Sequence, residues 1–176
     1  MLIDTSYFFG DIQVGQLSEQ SVQDTLILFI KQYEPRILEG LLGYATYNKL
    51  SESDPKWTAL KTGTEYTDTN GATRKWQGLY DSTTKISLIA YYVYCQYMEN
   101  QLTETGGAGE GKILLQNAVV VSAGRKIRKA WNLMVSQNVA LYDFLMAKKD
   151  DYPEWYEWQT GTYGNTFFQQ ANEFGI

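Results

Sequence analysis

The chain contains no histidine. That removes Ser-His and Cys-His nucleophile pairs, histidine metal ligands and the usual physiological pH switch, and most common enzyme chemistries go with them. A single cysteine, Cys95, permits neither an intrachain disulfide nor a thiolate metal cage. Its apolar helical neighbours mark it as a core residue that packs as a small hydrophobe. No apolar run reaches the length of a membrane span. The opening MLIDTSYFFGDIQVG has no basic n-region and is interrupted by Asp4 and Asp11, unlike a secretory signal. The expectation is a soluble chain, made in the cytoplasm and without a membrane partner. Positive charge is also in short supply, with 15 Lys+Arg against 20 Asp+Glu and a net charge of -5. Such a balance argues against a protein whose main work is gripping phosphate backbones.

What is present is a chain of 176 residues, the size of one domain with a small appendage. Residues 1–17 have short apolar runs broken by Gly10 and Gly15, which predicts a loop or an edge strand. Ser21 with Asp24 three positions on forms an N-cap pattern, and Val22, Leu26, Phe29, Ile30 and Tyr33 follow at helical spacing. Pro35 predicts that this helix ends near Glu34 and that a second begins there, with Ile37, Leu38, Leu41, Leu42 and Ala45 on one face. Asp54-Pro55 opens a short turn or one-turn helix through Trp57 and Leu60, and then comes GTEYTDTNGATRKWQGL, Gly63 to Leu79, which reads as a β-hairpin closed by a type I′ turn at Asn70-Gly71. An isolated hairpin is marginal in water, so this one must lean on the neighbouring helices or on another subunit.

The next helix, predicted from Ser82 to Leu102, is apolar nearly all round and therefore buried on all sides, with a neighbouring subunit as one candidate cover. A glycine-rich stretch from Thr105 to Gly111 follows, then β-branched residues to Val121 that favour a strand, with helix not excluded. Ser122 is the predicted cap of a last long helix to about Lys149, whose apolar rhythm Asn138 interrupts. The fold class is mainly α: a helical bundle over residues 1–150 with a small hairpin near 63–79, and an extended aromatic docking tail over 151–176. Disorder goes with few aromatics, and this tail has many.

Four constellations invite chemistry. Gly106 to Lys112 matches the first seven positions of a phosphate-binding loop, but Ile113 stands where a magnesium-holding hydroxyl belongs and Glu110 would put an anion among the phosphates, so it reads as a flexible connection. Glu154 and Glu157 beside Trp155, Tyr156 and Trp158 suggest a sugar platform, yet their spacing on a helix sets the carboxyls side by side rather than across a bond. These aromatics read better as anchors against the body or a neighbour. Arg125, Lys126, Arg128 and Lys129 form a basic cluster at a helix start, opposite to the helix dipole's preference. A solvated face is the plain reading, and an acidic partner or nucleic acid the sharper one. Asp68 and Asn70 lack the rest of a calcium loop and are turn residues.

Taken in order, the paired helices, the hairpin with Lys75-Trp76-Gln77-Gly78-Leu79, the helix with Tyr91-Tyr92-Val93-Tyr94, the Leu102-Thr103-Glu104-Thr105-Gly106 segment and Ala130-Trp131-Asn132-Leu133-Met134 form a recognisable layout. It resembles the head-tail connector (adaptor or head-completion) proteins of tailed bacteriophages, especially those of gut Bacteroides-type bacteria and their prophages. The resemblance implies a structural virion protein at the head-tail junction, made in the host cytoplasm. It implies a homo-oligomeric ring of about twelve copies, bound to the portal protein and to a tail or second adaptor protein. DNA passes through the lumen without specific binding, and no catalysis, metal or cofactor is implied.

The expected contact elements are the hairpin tip at Asn70 and Gly71, and the glycine stretch at Thr105, Gly106, Gly109 and Lys112. The third is the tail at Trp155, Trp158, Tyr163, Phe167, Phe168, Phe174 and Ile176. On that reading, deleting residues 160–176 leaves the fold largely intact and abolishes assembly. Alternatives are a tail-completion or other tail-assembly protein, an enzyme acting on cell-wall glycan, and a small DNA-binding module.

Overall fold

Apolar residues at helical spacing wind residues 20 to 49 into one long helix, α1 (Gln20–Lys49), which buries Leu26, Ile30, Ile37, Leu38, Leu41 and Leu42. The computed structural model describes residues 1–106, 109–112, 123–161 and 164–171. Two expectations about α1 are corrected. Ser21 lies inside its first turn rather than at the cap, and Pro35 sits within the helix without ending it. The interruption falls at Gly43, where φ is 74° and ψ 155°. A Cβ at Gly43 would lie 2.6 Å from Cγ of Trp158, so the missing side chain makes room for the indole. The kink thus falls where a distant aromatic packs, and Pro35 is carried inside the helix.

The N-terminal arm is neither loop nor edge strand throughout. It makes two short 3₁₀ turns, Thr5–Tyr7 and Gly10–Ile12, and buries Ile3, Tyr7, Phe8, Ile12 and Val14. Asp4 caps the first turn by accepting from the Ser6 amide at 2.8 Å. The buried Glu34 carboxylate on α1 accepts the Leu2 amide at 2.8 Å and the Ile3 amide at 3.2 Å, fixing the arm to the helix.

Asp54 and Pro55 start α2 (Pro55–Thr62), which runs longer than the predicted short turn or single helical turn, with the Asp54 carboxylate accepting from the Lys56 amide at 2.9 Å. The hairpin follows as β1 (Thr64–Thr67) and β2 (Thr73–Trp76), antiparallel with Thr64 opposite Trp76 and Thr67 opposite Thr73. Its turn is not type I′. Gly71 has φ 82° while Asn70 stays on the negative side. The Gly71 amide donates to the Asp68 carbonyl at 3.0 Å and the Asp68 amide to the Ala72 carbonyl at 2.8 Å, so the loop is an ordinary turn followed by a left-handed glycine.

α3 (Leu88–Leu102) starts later than predicted because Asp81 winds the preceding segment, accepting from the Thr83 and Thr84 amides at 2.7 and 3.0 Å. Ser87 is the effective cap, its Oγ accepting from the Ile89 amide at 3.1 Å. The helix lies between α1 and α4 (Ala123–Ala147), which explains its apolar circumference within the chain. Tyr97 meets Phe29 edge-on at 5.3 Å, Tyr92 meets Tyr33 at 6.2 Å, and Cys95 Sγ donates to the Ile127 carbonyl at 3.5 Å. No neighbouring subunit is needed to cover it. α4 also supports the first hairpin: Tyr66 and Trp76 both pack on Phe144, with ring centroids 5.3 and 5.8 Å away. The Trp76 Nε1 donates to the Leu60 carbonyl at 2.8 Å. The hairpin therefore leans on its own chain.

Burial pushes the Cys95 thiol up to about 12. A thiol so rarely ionised is a poor nucleophile. In the native protein at about pH 8, Cys95 is expected to resist a thiol reagent for far longer than in denaturant, where the same cysteine reacts at the rate of a free one. Timed labelling with and without urea measures this directly.

Between α3 and α4 the glycine-rich stretch forms a second hairpin rather than a structureless loop. β3 (Thr103–Gly106) pairs antiparallel with β4 (Gly109–Lys112), Thr103 opposite Lys112 and Gly106 opposite Gly109. Ser122 and the predicted strand up to Val121 lie outside the described residues. The last helix, α5 (Pro153–Thr160), opens the segment expected to be extended tail. No helix among the described residues is long and apolar enough to cross a membrane.

Candidate assembly surface

The first candidate element is the tip of the β1–β2 hairpin, where Asn70 and Gly71 are exposed. Asp68 stiffens it. Its carboxylate accepts from the Asn70 and Ala72 amides, each at 2.9 Å, and from Arg74 Nε at 2.5 Å. The Arg74 guanidinium, helped by those amides, holds the Asp68 carboxyl below the usual carboxylate range. The sequence supplies an exposed tip, and the carboxylate gives it one shape.

The second element is the β3–β4 hairpin, which carries Thr105, Gly106, Gly109 and Lys112 on its strands. Among the described residues it is a two-stranded sheet, so each strand is also an edge. Its main contact outside itself is with α3. An antiparallel hairpin is not the strand–loop–helix that cradles phosphates, so the partial phosphate-loop match has no matching backbone.

The described part of the third element, the aromatic tail, is mostly turned inward. Trp155 is fully buried, its Nε1 donating to the Leu41 carbonyl at 3.2 Å and its ring meeting Tyr142 edge-on at 5.7 Å. It is a core residue of this chain, which corrects its assignment as a partner contact. Trp158 is half-buried over Gly43. Residues 164–171 then run along α4 as a strap held by side chains that read its backbone. Asn138 Nδ2 donates to the Phe167 carbonyl at 2.8 Å, and Trp131 Nε1 to the Gln169 carbonyl at 2.9 Å. Asn132 brackets Ala171, donating to its carbonyl at 3.1 Å and accepting from its amide at 2.8 Å.

Phe167 is half-buried, close enough to α1 that a Cβ at Gly40 would fall 2.6 Å from its ring, with Tyr92 at 6.0 Å and Trp131 at 6.3 Å. Phe168 keeps 37% exposure while resting edge-on against Tyr142 at 5.5 Å. Of the expected tail contacts it is the described aromatic that still offers open surface. Tyr163, Phe174 and Ile176 lie outside the described residues. Composition did not single out Asn132 and Asn138. The available signal was a buried-face asparagine breaking the apolar rhythm of α4, which marks a polar partner elsewhere in the chain.

Glu154 is held in an ion pair. Lys49 Nζ donates to its Oε1 and ties α5 to the end of α1, and this bond holds the carboxyl below its ordinary value. A carboxyl depressed in the folded state contributes stability above its unfolded pKa and loses it as pH falls through the folded one. Thermal stability is therefore expected to fall on going from neutral pH to about pH 3, with Glu154→Gln less stable at neutral pH and showing a shallower loss. Parallel melting curves of both proteins across that range check this. Glu157, in the next turn, is exposed.

The basic cluster occupies the first turns of α4. Lys129 Nζ sits 2.8 Å from Asp11 Oδ2 of the N-terminal arm. Arg125, Arg128 and Lys129 line a groove of about 450 Å³ with Asn132, Ser136 and Gln170. An adjoining groove of about 570 Å³ is bounded by Ile127, Trp131 and strap residues Gln169 to Ala171. Among the described residues no cluster of histidine, cysteine or acidic side chains is placed to hold a metal ion. No family model, no curated protein and no solved structure matches this chain.

Proposed function

We propose that this chain is a structural virion protein of a tailed bacteriophage: a non-enzymatic subunit of a ring at the head-tail junction that joins the portal to the tail and lets DNA pass. The observation that supports it best is the β3–β4 hairpin. It stands between the two longest core helices after α1, and both its strands are edges among the described residues. Its sequence, TETG and GEGK, supplies no large apolar side chain with which to hold a face against the body. A two-stranded hairpin of that kind is marginal alone, and open edges pair readily with another chain. In a ring, the neighbouring copy or the portal adds a strand to an edge that is open among the described residues. The acidic balance suits a lumen through which DNA slides, because bound phosphates would retard it.

The test is the copy number of this chain per purified virion, measured by quantitative mass spectrometry against the portal protein. A ratio near one is expected. Absence from virions overturns the reading, and co-purification with tail-tube protein in place of portal reassigns the chain to tail completion.

A further inference from the structure

Phe9 and Ile86 are 51% and 44% exposed and both line a cleft of about 310 Å³, together with the buried Tyr7 and Ile12. Single exposed apolar residues are ordinary. A pair lining an apolar concavity is not, and here the backbone holds both in place. The Phe9 amide donates to the Tyr7 carbonyl and the Ile12 amide to the Phe9 carbonyl, each at 3.2 Å, and Gly10 between them has φ 58°.

Next to Ile86, Lys85, a residue with a side chain, takes φ 57°. That conformation is held by the Lys85 amide on the Asp81 carbonyl and the Asp81 amide on the Ile86 carbonyl, both at 2.9 Å. Backbone held in the left-handed region points to a role for what it presents, and it presents Ile86 to solvent. The cleft carries one cation, the Lys85 ammonium 4.8 Å from the Tyr7 ring, and one anion, Asp11. Asp11 pairs with Lys129 where both side chains are more than half exposed, a weak bond that solvent or a partner readily shares.

A complementary knob lies on a different surface. Leu28, 63% exposed, stands on the outer side of α1 with Asp24 one turn before it and Lys31 just under a turn after, both exposed. We propose that the Phe9–Ile86 cleft receives Leu28 of a second copy of this chain, Lys85 meeting Asp24 and Asp11 meeting Lys31. Each side offers exposed apolar surface with one cation and one anion beside it, and complementary charge fixes register more than it adds affinity. Because cleft and knob are different patches, the contact is heterologous and propagates from copy to copy, as a closed ring requires. The inference rests on the ring reading and gives that ring an interface.

The test is a full-length Leu28→Cys/Ile86→Cys variant, with Cys95 left in place because it is buried. The purified chain is oxidised mildly across a concentration series, and its mass distribution is followed by sedimentation. A covalent ladder confined to the double variant is expected. Lys85→Glu is expected to weaken self-association about tenfold, with Asp24→Lys in the same chain restoring it, since paired reversal rebuilds the contact. Oligomers without a ladder overturn the pairing, and so does a chain that stays monomeric at its highest soluble concentration. Either result leaves the ring reading to be decided by copy number in virions.

Discussion

Replacing Trp155 by alanine is expected to cost about 3–5 kcal/mol of unfolding free energy, the usual range for truncating a fully buried large aromatic. In a chain of this length that corresponds to a fall of roughly 6–20 °C in melting temperature. Three contacts are lost together: the bond from Nε1 to the Leu41 carbonyl, the edge contact with Tyr142, and the packing of α5 onto α1 beside the reversed Gly43. The Leu41 carbonyl lies two residues before that reversal and loses the indole donor. Trp155→Phe keeps most of the volume and loses the donor, and about 1–3 kcal/mol is expected for leaving that acceptor unpaired. Phe168→Ala is the control at an exposed position, where a change within about 0.5 kcal/mol is expected. Thermal and urea unfolding monitored by circular dichroism separate these outcomes. A Trp155→Ala protein that melts like the wild type yet fails to enter particles would restore Trp155 as a partner contact.

The residues that the sequence placed well are those whose signals are local. Asp54 before Pro55 caps α2, the apolar spacing of Leu26 to Leu42 builds α1, and Tyr66 and Trp76 flank a hairpin. Where distant residues decide, the reading fails in identifiable ways. Pro35 signalled a break, but the kink sits at Gly43, where Trp158 packs from the far end of the chain. Asn70-Gly71 signalled a type I′ turn, but the Asp68 side chain captures two amides and Arg74 and favours a longer loop. The glycines from Gly106 to Gly111 signalled a loose connection, but backbone pairing requires no apolar side chain.

The same distinction governs the assembly surface. Aromatic content predicted that the tail is anchored, as Trp155 and Phe167 are. Whether such an anchor faces a neighbour or the chain's own core depends on which cavity receives it, and no window of sequence contains that cavity. Hence the inward-facing Trp155 and the exposed Phe168 look alike in composition. The cleft lined by Phe9 and Ile86 was hidden for a related reason: these two residues come from the N-terminal arm and the segment before α3.

Asn138 joins tail and body through polar bonds of a buried side chain, and its removal is expected to be a costly polar change. The side chain is fully buried on α4 and Asn165 is nearly so on the strap. Asn165 Nδ2 donates to Asn138 Oδ1 at 2.7 Å, and Asn138 Nδ2 donates to the Phe167 carbonyl at 2.8 Å and to Asn165 Oδ1 at 3.3 Å. Asn138→Ala therefore leaves the Asn165 amide and the Phe167 carbonyl without these partners at a buried position. Each orphan costs about 1–3 kcal/mol, so a loss of about 2–4 kcal/mol is expected once some relaxation is allowed.

Asn165→Ala alone should cost less, because Asn138 keeps the Phe167 carbonyl. The double variant should fall short of the sum by about 1–3 kcal/mol, as two residues in one network do. Hydrogen exchange locates the loss: faster exchange confined to the amides of Phe167 and Ala171 means that the strap opens while the helices hold. The same bonds revise what deleting residues 160–176 does. The deletion uncovers Asn138, Trp131 and the ring contact of Tyr92 with Phe167. A truncated chain that melts as high as the full one would show that the strap adds nothing to the body and is free to serve a partner.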